Sequence, residues 1–164
     1  MPATLEKAIL AAGCFWGVEE LLRSYKGVTN TEVGYCGGGQ EEADYNKVKT
    51  GQTEHAEALL VEFDPNKLSY KELIQAFFKL HNPTTKNRQG NDIGRQYRSA
   101  IFYFTDKQKA IAEEVKNELQ KSDKWKLPIV TEIVPAETFY KAEEYHQDYL
   151  QKNPNGYTCH FWRE

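Results

Sequence analysis

Three cysteines, Cys14, Cys36 and Cys159, are the candidate nucleophiles of this 164-residue chain. Cys14 stands in Gly13-Cys14-Phe15-Trp16-Gly17, after the apolar run Ala8–Ala12 and before Val18, Leu21, Leu22 and Tyr25 at helical spacing. That pattern puts the thiol where a strand ends and a helix begins. Unpaired backbone N–H groups and the positive end of the helix dipole stabilise a thiolate there, lowering a cysteine pKa from about 8.5 to roughly 3.5–7.5. The competing reading is an inert buried cysteine, because Cys14 also lies on the helix's apolar stripe. Phe15 and Trp16 are either core residues or the walls of an apolar pocket that presses a small hydrophobic substituent against the nucleophile.

Glu57 is the most informative residue outside that segment. Within the strand expected over Ala56–Phe63, Glu57, Leu59, Val61 and Phe63 share one face, while Ala58, Leu60 and Glu62 share the other. A carboxyl group on the apolar face is desolvated, which raises its pKa and keeps it protonated and able to donate. The competing reading is a solvated Glu at a fraying strand end. Tyr45 and Tyr97 are phenols in or beside Gly-rich loops, and Asp92 lies in Gln89-Gly90-Asn91-Asp92-Ile93-Gly94; taken alone, each is equally a structural or turn residue. Cys159 follows Asn153-Pro154-Asn155-Gly156-Tyr157-Thr158, a segment whose composition suits a resolving thiol that attacks an oxidised partner. No metal is expected, since three dispersed cysteines and four histidines lack the paired close spacing of zinc sites. Gly37-Gly38-Gly39 lacks the Lys-Ser/Thr that a phosphate loop requires.

The elements that must position these residues alternate along the whole chain. Strands are expected over Lys7–Ala12, Thr29–Tyr35, Ala56–Phe63, Tyr97–Phe104 and Ile129–Val134. Helices are expected after Cys14, after the capping box Ser69-Tyr70-Lys71-Glu72, after a second box Thr105-Asp106-Lys107-Gln108, and through Phe139, Ala142, His146, Tyr149 and Leu150. Residues 84–96 and 153–164 read as loop. The order βαββαβαβα predicts an α+β fold, a mixed sheet with helices packed on it, and residues 1–164 form one domain. The length suffices for a core without disulfides or a structural metal. A net charge of −3 argues against nucleic-acid binding, and a mean hydropathy of −0.73 argues against a membrane protein. Ala8–Cys14 looks like the end of a lipoprotein signal. However, its apolar run is shorter than the roughly 7–15 residues needed and follows Glu6-Lys7, so a cytoplasmic location is expected.

Taken together, Gly13-Cys14-Phe15-Trp16-Gly17, Gly34-Tyr35-x-Gly37-Gly38, His55-Ala56-Glu57-Ala58, Arg88–Asp92 with Gln96–Ala100, and Glu144-x-His146-Gln147-x-Tyr149-Leu150 closely resemble the A-type peptide methionine sulfoxide reductases. The segments come in family order and span nearly the whole chain. The resemblance implies a ferredoxin-like two-layer core with the nucleophile at a helix N-terminus. It also implies reduction of methionine S-sulfoxide, free or in proteins, with no cofactor. Cys14 is then the nucleophile, Phe15 and Trp16 hold the S-methyl group, and Glu57, Tyr45 and Tyr97 bond the sulfoxide oxygen while Asp92 organises the site. Attack leaves a sulfenic acid on Cys14; a second thiol, Cys159 or alternatively Cys36, closes a disulfide that thioredoxin reduces. A papain-like protease also places Cys before an aromatic at a helix start, and His146 and His160 lie at suitable distances along the chain. Only four residues beyond His160 remain to supply its orienting Asn. A non-catalytic aromatic-lined binding module leaves Glu57 and Cys159 without roles.

Overall fold

In the computed structural model, the residues described are 5–37, 48, 55–90, 92–122, 124–136, 138–156, 158 and 160–163. Tyr45 and Cys159 lie outside them. The Lys7–Ala12 run forms the centre of strand β1 (Glu6–Ala12), whose residues from Ala8 onward are fully buried on both faces. It pairs antiparallel with β3 (Ala56–Phe63) on one side and with β6 (Ser99–Tyr103) on the other. Strand β2 (Val28–Cys36) lies antiparallel to β3, so the sheet centre runs β6-β1-β3-β2. Helix α1 (Phe15–Arg23) joins β1 to β2, and α2 (Tyr70–Lys79) follows β3. This is the α+β fold expected from the element order, in the βαββαβ ferredoxin-like arrangement that the resemblance implied.

The two faces of the sheet are built from alternate residues of the same strands. One face carries Ala8, Leu10, Ala12, Val33, Tyr35, Leu59, Val61 and Phe63, and packs against Phe15, Val18 and Leu22 of α1 and Leu73, Ile74 and Phe77 of α2. The other carries Ile9, Ala11, Cys36, Ala56, Ala58, Ala100 and Phe102, with Phe139 and Val134 laid against it. The capping box at Ser69 forms in full, with Ser69 Oγ accepting from Glu72 N at 3.1 Å and the Glu72 carboxylate accepting from Ser69 N at 3.2 Å. At the start of α3 (Asp106–Lys121) only half of the second box forms. Gln108 instead accepts from Phe104 N and donates to Glu6 and to the Lys7 carbonyl, so its amide ties α3 to β1.

Three expectations need correction. The strand expected at Ile129–Val134 pairs only as β7 (Glu132–Pro135), parallel to β6, because Ile129 N bonds the Gln120 side chain and Val130 N bonds the Pro83 carbonyl. The segment 84–96 is not all loop: β4 (Arg88–Gln89) and β5 (Asp92–Ile93) form a small ladder, followed by a 3-10 turn at Arg95–Tyr97. The long final helix is absent. Phe139 and Ala142 flank β8 (Tyr140–Lys141), His146 ends a 3-10 turn at Glu144–His146, and Tyr149 and Leu150 lie in the short α4 (Tyr149–Lys152). Asp148 sits in the left-handed region at φ +54°, where a continuous helix cannot pass. What holds this stretch is the β2 edge, to which the Gln147 amide donates at Val33 O and from which it accepts at Val33 N, each at 2.9 Å.

Candidate active site

Cys14 is the N-cap of α1 and is 7% exposed. The chain reaches it through Gly13, whose φ of +94° favours glycine and whose added Cβ would lie 2.6 Å from Gln89 Cβ. Gln89 is itself buried and braces the neighbouring turn by donating to Asn82 O and accepting from Asn82 N. The first backbone N–H of α1, on Phe15, points at the Glu57 carboxyl, with Oε1 at 3.3 Å. A strand residue expected to be buried and acidic therefore lies within one residue of the nucleophile.

Glu57 is 1% exposed and flanked along its strand face by Leu59, Val61 and Phe63, all fully buried. Burial pushes its pKa up to about 8, an effect that the Phe15 N–H bond offsets in part and the charge of half-buried Asp92 reinforces. The group is thus mainly protonated at pH 7. Since Oε1 accepts from Phe15, the proton resides on Oε2, which is buried and has no hydrogen-bond partner among the described residues. A buried donor without a partner costs free energy in the resting protein, so it is poised to meet an acceptor brought by a ligand.

Of the two aromatic residues, Phe15 is buried and joins the core, its ring 5.8 Å from Tyr35 and 5.2 Å from His146. Trp16 is half-buried and fixed from two sides. Its indole N–H donates to His146 Nδ1 at 2.9 Å, and its ring stacks on Tyr149 with centroids 3.8 Å apart and planes 12° from parallel. Because the indole nitrogen can only donate, His146 Nδ1 must be the lone-pair nitrogen and the imidazole neutral. Burial also lowers the His146 pKa, in the same direction. Tyr35, opposite Glu57 in the β2/β3 register, donates its hydroxyl to Glu143 at 2.8 Å.

The structure therefore brings Cys14, Phe15, Trp16, Glu57 and Asp92 together, and the 3-10 turn carrying half-buried Tyr97 packs against β3. It does not bring Cys36 to them. Cys36 pairs with Ala56 and faces the other side of the sheet from Tyr35 and Glu57, fully buried with Ala58, Ala100 and Phe102. His146, Tyr149 and Tyr35 are contributors that the sequence reading did not assign to the site. The signal for the first two was a polar residue, His146, among the apolar positions of the expected final helix. No group of acidic, His or Cys residues among those described is arranged to hold a metal ion.

Comparisons with known proteins place this geometry. The family model described as peptide methionine sulfoxide reductase matches residues 6–164. A peptide methionine sulfoxide reductase, MsrA 1, of Mesorhizobium japonicum is 51% identical over 99% of this chain and 92% of its own length. One from Methanosarcina acetivorans is 58% identical over 90% of this chain and 79% of its own. Among solved structures, Mxr1 of Saccharomyces cerevisiae in reduced form superposes with a TM-score of 0.93 at 41% identity, covering 100% of this chain and 95% of that one. Mxr1 has also been solved in complex with Trx2; that chain matches with a TM-score of 0.68 at 30% identity, covering 100% of this chain and 94% of its own.

Proposed function

Because the chain belongs to the peptide methionine sulfoxide reductase family, we propose that Cys14 is its nucleophile, Glu57 its acid, and Phe15 with Trp16 the wall that receives the S-methyl group. The enzyme is an oxidoreductase that reduces methionine sulfoxide by thioredoxin-linked cysteine chemistry. The observation that carries the residue assignment is the Glu57 carboxyl: neutral, buried, held by Phe15 N through one oxygen and offering a proton from the other.

A sulfoxide oxygen is a poor leaving group until it is protonated. The Cys14 thiolate attacks the sulfoxide sulfur, forming an S–S bond, while Glu57 gives its proton to the oxygen. A second proton, from solvent, lets that oxygen leave as water. A water molecule then attacks the Cys14 sulfur and breaks the S–S bond, releasing the substrate as methionine and, after loss of a proton, leaving Cys14 as a sulfenic acid, so the substrate gains the two electrons that Cys14 loses. Tyr97 and Tyr45 are assigned as further donors to the oxygen, and Asp92 as an organiser of the site whose charge adds to the effect of burial in keeping Glu57 protonated. A second thiol attacks the sulfenic sulfur, water departs, and the resulting disulfide is reduced by exchange with thioredoxin. We assign Cys159 as that thiol, because Cys36 is sealed on the opposite face of the sheet.

The reading takes residues 1–164 as one domain working in the cytoplasm; no helix among the described residues is long and apolar enough to cross a membrane. The test is methionine release from a methionine S-sulfoxide peptide with dithiothreitol. The wild type turns over and Cys14→Ser does not; turnover by Cys14→Ser at the wild-type rate overturns the nucleophile assignment.

A further inference from the structure

The second glycine of the nucleophile's segment is packed against the C-terminal end of the chain. A Cβ added to Gly17 would lie 2.2 Å from His160 Nδ1 and 2.5 Å from Thr158 Oγ1; one added to Gly13 would lie 3.5 Å from His160 Nε2. The imidazole of His160, 7% exposed, thus fills a notch between the two glycines that bracket Cys14, Phe15 and Trp16. Its Nε2 lies 2.6 Å from the carbonyl oxygen of Ala12, the last residue of β1. A carbonyl can only accept, so Nε2 carries the proton and the ring is neutral when Nδ1 is bare. Burial agrees, lowering its pKa to about 4.

The surrounding backbone is fastened too. His160 N donates to Thr158 Oγ1 at 3.1 Å, Arg163 N donates to the Lys79 carbonyl at 2.7 Å, and the Trp162 ring lies 5.7 Å from that of Tyr25. None of these contacts serves the sulfoxide step. They join the chain's last residues to the strand end and the helix turn that present Cys14.

We propose that His160 is a positioning residue for the resolving half of the reaction. Seated in the Gly13–Gly17 notch and bonded to Ala12 O, it holds the C-terminal segment on the nucleophile's turn, so that the resolving thiol is delivered from a docked segment instead of a free chain end. This rests on the assignment of Cys14 as nucleophile and Cys159 as resolver. Docking replaces a search over many chain conformations with a local encounter, and misplacement by about 1 Å at a reacting centre costs on the order of 100-fold. Thr158 and His160, the two sequence neighbours of Cys159, are the residues that meet Gly17.

The experiment separates the two half-reactions in a single turnover without reductant, measuring methionine release by quenched flow and disulfide formation by loss of a second free thiol, beyond the one that Cys14 loses on becoming a sulfenic acid. In His160→Ala, methionine release stays within about twofold of wild type while disulfide formation slows about 10- to 100-fold, and the sulfenic acid accumulates to be trapped by dimedone. His160→Gln, whose terminal amide N–H reaches as far as Nε2, restores much of the disulfide rate; the shorter His160→Asn does not. Disulfide formation at the wild-type rate in His160→Ala overturns the proposal. So does an equal slowing of both steps in Ala, Asn and Gln variants alike, which marks a merely structural residue. If wild type itself releases methionine without forming a Cys14–Cys159 disulfide, the resolver assignment fails first and the proposal falls with it.

Discussion

Replacing Glu57 with Gln separates what this residue does for catalysis from what it costs the fold. A carboxyl group whose pKa rises from 4.5 in the unfolded chain to about 8 in the folded one binds its proton more tightly when folded. Stability from this group is therefore fully present below pH 4.5 and is lost as pH climbs toward 8, at up to about 1.4 kcal/mol per pH unit. At pH 7 the penalty is about 3 kcal/mol, and above pH 8 it levels off at about 5 kcal/mol. Gln has no proton to lose, so Glu57→Gln removes this slope. Its amide N–H at the Oε2 position is as unpartnered as the carboxyl it replaces, which keeps the pH-independent difference small. Urea unfolding from pH 5 to 9 should show the variant gaining on wild type by several kcal/mol across that range. Single-turnover methionine release should fall about 10²- to 10⁴-fold, the usual contribution of a general acid. Wild-type release should itself decline as pH rises through about 8. A stability difference that is the same at pH 5 and pH 9 would refute the raised pKa. Retention of more than a tenth of the wild-type rate by Glu57→Gln would refute proton donation.

Cys36→Ser, on the far face of the sheet, should keep thioredoxin-supported turnover, whereas Cys159→Ser should keep turnover with dithiothreitol and lose most of it with thioredoxin; steady-state assays with each reductant decide. His146→Leu removes the acceptor for the Trp16 indole and should raise KM for methionine sulfoxide several-fold, while His146→Asn, which keeps an acceptor near the Nδ1 position, should cost less. Because burial holds the His146 pKa below the usual histidine value, wild-type affinity should weaken only in acid, as Nδ1 gains a proton, and the Asn variant should lack that acid limb in a KM–pH profile. Ser69→Ala removes a formed capping box and should destabilise the protein by about 1 kcal/mol in a urea melt, with activity unchanged.

How far the sequence disclosed this protein depends on the range of the interactions concerned. The Ala56–Phe63 strand and its acidic residue were legible because alternation in a strand is local: the side chains two apart share a face whatever the rest of the chain does. The Ser69 cap was legible for the same reason. The segment 139–150 was not. Its apolar spacing imitates a helix, but the residues there answer to distant partners on two separate elements: Ala142 to the Val33 carbonyl of β2, and His146 and Tyr149 to Trp16 of α1. A period of 3.6 in burial does not require a helix when the partners lie more than 100 residues away. The half-formed box at Thr105 failed likewise, since Gln108 was drawn to β1. The exclusion of Cys36 as a resolver is not legible in the sequence, which does not say which face of the sheet the last residue of β2 shows until the register with β3 is known.

The assigned chemistry requires an anionic thiol and a neutral carboxylic acid side by side, at the same pH. Two ionised groups there would repel, and two neutral ones would supply neither nucleophile nor driving force. The fold meets the requirement by giving the groups different surroundings across a single peptide unit. Cys14 takes the N-cap, where helix N–H groups favour negative charge, and makes no side-chain cap bond of its own. Glu57 takes the apolar face of β3, where negative charge is disfavoured. The Phe15 N–H between them donates to Glu57 through the oxygen that does not carry the proton, fixing which oxygen faces the ligand. Phe15 is thus required twice, once for a buried ring and once for a backbone donor, and only the ring is open to mutation. A proline at position 15, an otherwise acceptable first helical residue, would test the backbone role by removing that donor: loss of activity beyond that of Phe15→Leu is the expected result.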